Sequence, residues 1–342
     1  IKTIVCGSSS KFFKQNTGGA DKVLRGLQTL PHLWIHPLPP AQVKEHCFKK
    51  WSLAEATLVY MMTGGVPYYL ERIIGQKGFV HAVNDALFTA RHHLLDEADE
   101  LLNYDFNAAG IKTAKKILAS LGQDGCTESN IVFKTGLSLA TVRDLIAKLV
   151  DYDIIFEKQA LSQQNRANRS GMKYFMKDFF LNFYFQILRK SAEQIRINES
   201  SLIFPNETGL SLQGYYVPNF SGKAFELFVR TLFESRTILG TRCAKKMMLN
   251  DPGYCVQDEW TQESQIDLIV ENPKDRLSRV VECKWGKCQL AWIDEVVAKQ
   301  YVPPPLFSLK RFLVISDKPA PAFVEQAKQK DVAIITLEDL YG

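Results

Sequence analysis

Nowhere does this sequence carry an apolar run approaching the length of a membrane span, and its opening does not resemble a signal peptide. A soluble, cytoplasmic chain with no membrane partner is therefore expected. The phosphate cradle G-x-x-x-x-G-K-[ST] is also missing. Nothing in the chain can hold the β- and γ-phosphates of ATP, and by itself it is expected to turn over none. Cysteine is sparse, odd in number at seven, and scattered, which favours free thiols in a reducing compartment over a disulfide framework. Cys243, Cys255, Cys283 and Cys288 lack C-x2-C spacing, so zinc is only a minor alternative. Neither charge sign dominates. Lys and Arg number 42 against 37 Asp and Glu, and the net +5 is compatible with an acidic partner without identifying one.

What is present is an ordinary globular composition, 46% hydrophobic and 23% charged, over 342 residues. That length exceeds one ordinary core and suggests two or three domains. The most informative stretch is IDLIVENPKDRLSRVVECKW, residues 266–285. Asp267 opens one apolar, strand-like run, and a second run beginning at Val280 carries Glu282 and Lys284. Alternate strand residues share a face, so Glu282 and Lys284 project together and Cys283 turns away. A hairpin brings Asp267 alongside them. Acids at the end of an apolar sheet are costly unless paired or bound to a metal, and two carboxylates can hold Mg²⁺ through oxygen. A neighbouring lysine can orient or deprotonate a water and offset charge on a phosphate. The alternative is a salt-bridged surface hairpin, against which the apolar Val280, Val281 and Cys283 argue.

Asp267, Glu282 and Lys284 resemble the D…(D/E)-x-K signature of the restriction-endonuclease-like nucleases. Upstream, GKAFELFVRTLF (residues 222–233) keeps a helical period through Phe225, Phe228, Val229, Leu232 and Phe233, with Glu226 flanking the stripe. The resemblance implies that Asp267 and Glu282 ligate Mg²⁺ or Mn²⁺, that Lys284 is catalytic and that Glu226 is a further acid of the site. Independently of the motif, periodicity after residue 219 gives the order α-β-β-β-α-β. Lys299, in the helix after the E-x-K strand, could also reach a phosphate, but the plainer reading is a solvated helix lysine.

The N-terminal part begins at Ile1 inside a strand-like run, IKTIVCGSSS, which suggests that something precedes it. PLPP, a largely helical stretch over 41–102, and the turn TGGVPYYL (residues 63–70) follow, with Pro67 suited to a first helical turn. Together these resemble the prokaryotic AAA-type ATPases, of archaeal type, that carry a winged helix and a C-terminal nuclease-like domain of unknown function. The resemblance implies that Ser8 or Ser9 tips a nucleotide-sensing strand and that TGGVPYYL belongs to a helical lid. The chain departs from that pattern in lacking the P-loop, and Arg25 precedes Gly26-Leu27 where Gly followed by Arg is expected. A solvated loop is the plainer reading of GSSS and Arg25. ATP therefore enters only if an upstream segment supplies the missing part.

Between these regions, three helical patterns and a hairpin pattern over residues 106–190 read as a winged helix-turn-helix. The third helix exposes Thr141, Arg143, Asp144 and Lys148, and the wing carries Lys158, Arg166, Arg169, Lys173 and Lys177 against Glu157. A recognition helix with a basic wing suits duplex DNA, and Arg143, Lys148, Lys158, Arg166, Arg169 and Lys173 are the candidate contacts. Winged helices also serve as protein-contact modules, and Asp144 fits that alternative. The aromatic run FFLNFYFQIL (residues 179–188) reads as a buried interdomain helix.

The expected architecture is α+β and multidomain. It comprises an ATPase-core and helical-lid remnant (1–105), a winged helix-turn-helix (106–190), a linker (191–218) and an α/β restriction-endonuclease-like domain with a mixed sheet (219–342). The leading functional reading is a DNA-associated, metal-dependent nuclease. Its rivals are a non-catalytic DNA-binding or regulatory protein on a nuclease scaffold, and one part of an ATP-driven assembly completed by an upstream segment or by homo-oligomerisation.

Overall fold

The computed structural model describes residues 35–75, 78–89, 94–103, 106–159, 172–197, 217–249, 253–260 and 265–342. Ser8, Ser9, Arg25, Arg166 and Arg169 lie outside them. The architecture is mixed α and β, with a three-stranded and a five-stranded sheet among the described residues.

Helix α1 (Leu53–Thr63) starts at a reciprocal cap in which Ser52 accepts from the Glu55 N–H and Glu55 accepts from the Ser52 N–H. From Ala56 onward it is buried on every side, as expected of a helix surrounded by others rather than amphipathic. It ends at Gly64, whose left-handed φ of 65° lets its N–H reach the Tyr60 carbonyl at 2.7 Å. Gly65, at φ 74°, accepts a bond from the Leu38 N–H, and a Cβ there would meet the Leu38 oxygen at 2.3 Å. The Gly64-Gly65 pair of the turn is thus a backbone requirement, and Pro67 opens the next helical turn (Pro67–Leu70) as expected. Helix α2 (Phe79–Leu87) completes the labelled N-terminal helices.

Helix α3 (Ala108–Leu121), strand β1 (Cys126–Thr127), α4 (Glu128–Thr135) and α5 (Leu139–Asp151) come next, with Asn107, Thr127 and Ser138 as side-chain N-caps. Strands β2 (Ile155–Lys158) and β3 (Lys173–Met176) form an antiparallel hairpin, joined by β1 in the order β1-β3-β2. The aromatic run forms α6 (Phe179–Phe183) and a π-helical turn (Tyr184–Leu188), every residue of them buried.

The five-stranded part opens with α7 (Val217–Glu234), beginning a few residues before the pattern suggests, and α8 (Arg242–Met247). Strands β4 (Cys255–Trp260), β5 (Gln265–Asn272) and β6 (Leu277–Lys284) pair antiparallel. Helix α9 (Ala291–Ala298), β7 (Ser308–Ile315), α10 (Pro321–Gln329) and β8 (Val332–Ile335) then add two parallel strands, and α11 (Leu337–Tyr341) closes the chain. The expected α-β-β-β-α-β order is present, and α8 and α11 are additions. Strand alternation divides the sheet. Phe312 and Val314 of β7 join the main core, whereas Leu313 and Ile315 meet Trp292, Ile293 and Phe323 of α9 and α10.

The main core runs continuously from Val43 to Leu340 across all of these parts. Its junction is α1. Tyr60 meets Phe179 and Phe228 edge-on at 5.5 and 5.6 Å, and Thr57 shares a 2.8 Å hydrogen bond with Tyr341. No helix among the described residues is long and apolar enough to cross a membrane, and their six cysteines are free thiols.

Gly65→Ala should lower the unfolding free energy by ~2–4 kcal/mol, because left-handed strain adds to a backbone collision. Gly78→Ala, with φ 76° but nothing within 4 Å, should lose only about 1 kcal/mol. Chemical denaturation of both variants checks this, and equal losses would contradict the collision at Leu38.

Candidate active site

The site forms where two strands part. The β5–β6 ladder runs from Asn272↔Leu277 to Leu268↔Val281 and stops. One step further the backbone groups need other partners, and side chains provide them. The Asp267 N–H donates to Glu282 Oε1 at 3.3 Å, and the Cys283 N–H donates to Asp267 Oδ2 at 2.8 Å. A bulge on the other edge of β5 lies at the same level, where Gln257 opposes Ile269 but Glu259 opposes Ile266. Two steps on β4 thus match three on β5, and this extra residue re-aims the strand at Asp267.

Asp267 is 8% exposed and Glu282 2%, at the end of a sheet otherwise walled by Ile266, Ile269, Val280 and Val281. Glu226 approaches from α7, half-buried, with Lys223 one helical turn earlier bonded to it at 3.0 Å. Burial raises the pKa of Glu226, the charge of Asp267 raises it further, and Lys223 and Lys158 only partly offset this. Glu282 follows the same logic, raised by burial and then by Asp267, with Lys299 and Lys284 opposing. Asp267 thus stands between two glutamates whose protons are held more tightly than usual. The Cys283 thiol, pushed far up by burial, is inert.

The lysines depart from expectation. Lys284 bonds to Glu295 of α9. Burial pulls its pKa down, but the hydrogen bond and charge of Glu295, with Glu282 and Asp267 behind, outweigh that and leave it raised. An ammonium so held can offset negative charge in its neighbourhood. Lys299 is not solvated. It lies just past α9, where the backbone turns extended, and its ammonium sits 3.3 Å from Glu282 Oε2 and donates to the Gln265 carbonyl. Lys223, Glu295 and Lys299 are the partners that the sequence reading missed. Lys223 was accessible as an i,i+3 neighbour of Glu226, but the other two depend on where α9 ends.

Among the described residues, no three His, Cys, Asp or Glu side chains converge tightly enough to hold a metal ion by themselves. The donor chemistry nevertheless suits a hard cation, since buried carboxylate oxygens already draw two ammonium groups, Lys223 and Lys299, as stand-ins.

The cleft beside Asp267 is shared with the three-stranded sheet. Phe156, Lys158 and Phe175 line it opposite Lys223, Glu226, Arg230 and Asp267, around a space of about 40 Å³. A water needs roughly 10–15 Å³, so the enclosed part of this cleft takes a few waters, and the cleft opens to solvent. Arg230 lies over the Phe156 ring at 4.8 Å and Lys158 over the Phe175 ring at 4.7 Å. Lys158 therefore faces the acids, and Lys173 pairs with it across the hairpin. On α5, Arg143 bonds Glu128 at 2.9 Å and Lys148 bonds Asp144 at 2.7 Å. The Lys148–Asp144 pair is exposed, and such pairs contribute ~0–1 kcal/mol and can be exchanged for phosphate contacts at little cost.

No family model matches this chain, and no solved structure matches it. Among curated proteins it is similar to an uncharacterized protein of Methanocaldococcus jannaschii, 24% identical over 350 aligned positions that cover 99% of this chain and 72% of the relative.

The raised glutamates set a pH dependence. The folded chain holds these protons more tightly than the unfolded one, so their contribution is most favourable below the ordinary glutamate pKa of ~4.3. It declines as pH rises toward the higher folded values. Glu226→Gln should therefore raise the melting temperature at pH 8, by roughly 2–4 °C per kcal/mol relieved, and the gain should vanish near pH 4. Differential scanning calorimetry across that range checks it; a gain independent of pH would show that Glu226 is not strained.

Proposed function

We propose that this chain is a DNA-associated protein with a divalent-metal-dependent phosphodiesterase site at the diverging ends of β5 and β6. The pairing of buried Asp267 and Glu282 at one gap in an apolar sheet, with Glu226 close enough to feel the charge of Asp267 and Lys284 on the same strand end, carries this reading. The order of α7, β4, β5, β6, α9 and β7 resembles the restriction-endonuclease-like fold and supports it. The three helices and hairpin over residues 106–190 resemble a winged helix, which supports duplex DNA as the partner.

Asp267 and Glu282 would hold Mg²⁺ or Mn²⁺, with Glu226 as an additional or water-mediated ligand. Bound there, the ion would lower the pKa of a water and neutralise charge on the phosphate. This chain's own contribution is electrostatic and positional. Lys284, held by Glu295 beside the acids, would stabilise negative charge growing on the scissile phosphate. The apolar residues behind Asp267 and Glu282 keep the local dielectric low and strengthen that interaction.

A second reading, a nuclease fold retained as a DNA-binding or regulatory scaffold, is favoured by one observation. Glu226 and Glu282 are already compensated by Lys223 and Lys299 within the chain. ATP hydrolysis belongs to either reading only if an ATPase segment or a second chain supplies the phosphate cradle.

Asp267→Asn should abolish Mn²⁺-dependent cleavage of DNA and the heat of Mn²⁺ binding while leaving the circular dichroism spectrum unchanged. Lys284→Ala should slow cleavage by roughly a hundredfold or more, as for loss of one preorganised charge donor, with metal still bound. If the parent cleaves neither DNA nor RNA across wide Mg²⁺ and Mn²⁺ ranges, and calorimetry finds no binding that Asp267→Asn removes, the scaffold reading takes its place.

Duplex binding should weaken with salt by a log–log slope of about −0.9 per neutralised phosphate. Replacing Arg166 and Arg169 by alanine should flatten the slope and weaken all sequences alike. Fluorescence anisotropy over a salt series reads both, and an unaltered double variant would point instead to a protein-contact role for residues 106–190.

A further inference from the structure

We propose that Lys299 is a resident cation of this site, and that a divalent metal engages Glu282 only by displacing it. The inference rests on the reading of Asp267 and Glu282 as metal ligands and adds the device that regulates their occupancy.

Glu282 is 2% exposed and cannot remain charged there without a counter-ion. Its expected companion, Lys284, is turned to Glu295 on α9. Among the described residues the ammonium within 4 Å of Glu282 is that of Lys299, at 3.3 Å from Oε2, on a side chain only 19% exposed. The same ammonium donates to the Gln265 carbonyl, two residues before Asp267. It therefore occupies a place bounded by a carboxylate and a backbone carbonyl, the hard oxygen donors that Mg²⁺ and Mn²⁺ prefer. The remaining Glu282 oxygen, Oε1, is turned toward the Asp267 N–H. A metal approaching this carboxylate thus meets either an existing hydrogen bond or the ammonium. Two cations on one buried carboxylate repel strongly at low dielectric, so only one is held at a time.

Departure of Lys299 is sterically simple. It lies beyond the last residue of α9, with φ −63° and ψ 120°, where the backbone has left the helix. Its flexible four-carbon stem can swing the charge toward water without moving β6. With metal absent, the lysine keeps the buried acid compensated and the sheet end closed. With metal present it is released, and the metal affinity is lowered by whatever the lysine contact contributes. By linkage, the metal weakens the lysine contact to the same degree.

Calorimetric titration of MnCl₂ into the parent chain, Lys299→Met, Lys299→Gln and Lys299→Arg tests the competition, with the melting temperature of each followed in parallel. Methionine keeps the unbranched stem without charge. Glutamine can still donate to the Gln265 carbonyl and serves if the methionine variant folds poorly. The neutral variants should bind Mn²⁺ roughly tenfold tighter than the parent, melt lower without metal, and gain more from added Mn²⁺. The arginine variant should stay near parental affinity. Neutral variants that bind no more tightly than the parent, in a protein whose Mn²⁺ binding Asp267→Asn abolishes, would overturn the competition and leave the metal site standing. If neither parent nor neutral variants bind Mn²⁺, or if Asp267→Asn leaves the tighter binding intact, the metal reading falls and takes this proposal with it.

Discussion

A carboxylate buried at the end of an apolar sheet must be given hydrogen bonds or a positive partner, and this chain buries or half-buries three, of which Asp267 acts on both of the others. Much of the surrounding architecture answers that requirement. The β5–β6 ladder stops one pair early, and the amides it abandons are returned to Asp267 and Glu282 as donors. The bulge in β5 turns the strand at the same level. Lys223 on α7 and Lys299 beyond α9 reach in from opposite faces of the sheet. A surface hairpin with the same residues would need none of this, because water would solvate each acid.

The same sheet end explains why the chain is assembled as it is. Helix α7 carries Glu226 and Lys223 on the edge of its buried stripe, and that stripe is anchored through Phe228 to Tyr60 of α1. Helix α6, directly after the β2–β3 hairpin, meets the same tyrosine through Phe179. Burial of α1 thus fixes both the helix that contributes an acid and the hairpin that lines the cleft. Lys158 becomes a neighbour of Glu226 by this route. A residue chosen for facing a DNA backbone therefore also bears on the carboxylate cluster.

Much of this was legible in sequence because it depends on short periods. Phe225, Phe228, Val229, Leu232 and Phe233 mark α7 by their spacing and place Glu226 at its border. Alternation at Val280, Val281, Glu282 and Cys283 separates the acid from the thiol, and the succession of helix and strand patterns gives the sheet its order. The rest depended on where elements stop. That the ladder ends at Leu268↔Val281, that β5 carries an extra residue, and that α9 gives way at Lys299 are outcomes of pairing and packing with no local signature. For that reason Lys299 read as a solvated helix lysine, and Lys284 read as facing the acids when it is hydrogen-bonded to Glu295. The small strand β1 and helix α11 were missed for want of length. Helix α11 is nevertheless secured by Thr336 and Asp339, the latter held below the usual aspartate range by Lys246 and Thr336 against the opposing effect of burial.

Asp267 is the acid on which the two halves of the site depend. Its charge is felt by Glu226 on the α7 side and by Glu282 toward α9, whereas each glutamate has its own lysine and is not among the principal influences on the other. Compensation by lysines is therefore divided, one ammonium for each glutamate. A single divalent cation at Asp267 would act on both halves at once, drawing both glutamates toward their charged forms and making one or both lysines surplus. On the proposed metal-binding reading, such a site would have two arrangements, one with internal ammonium groups and one with a metal ion in place of an ammonium. Lys299 would be the element that moves between them, because it stands on backbone that has left its helix while its charge still reaches the strand end.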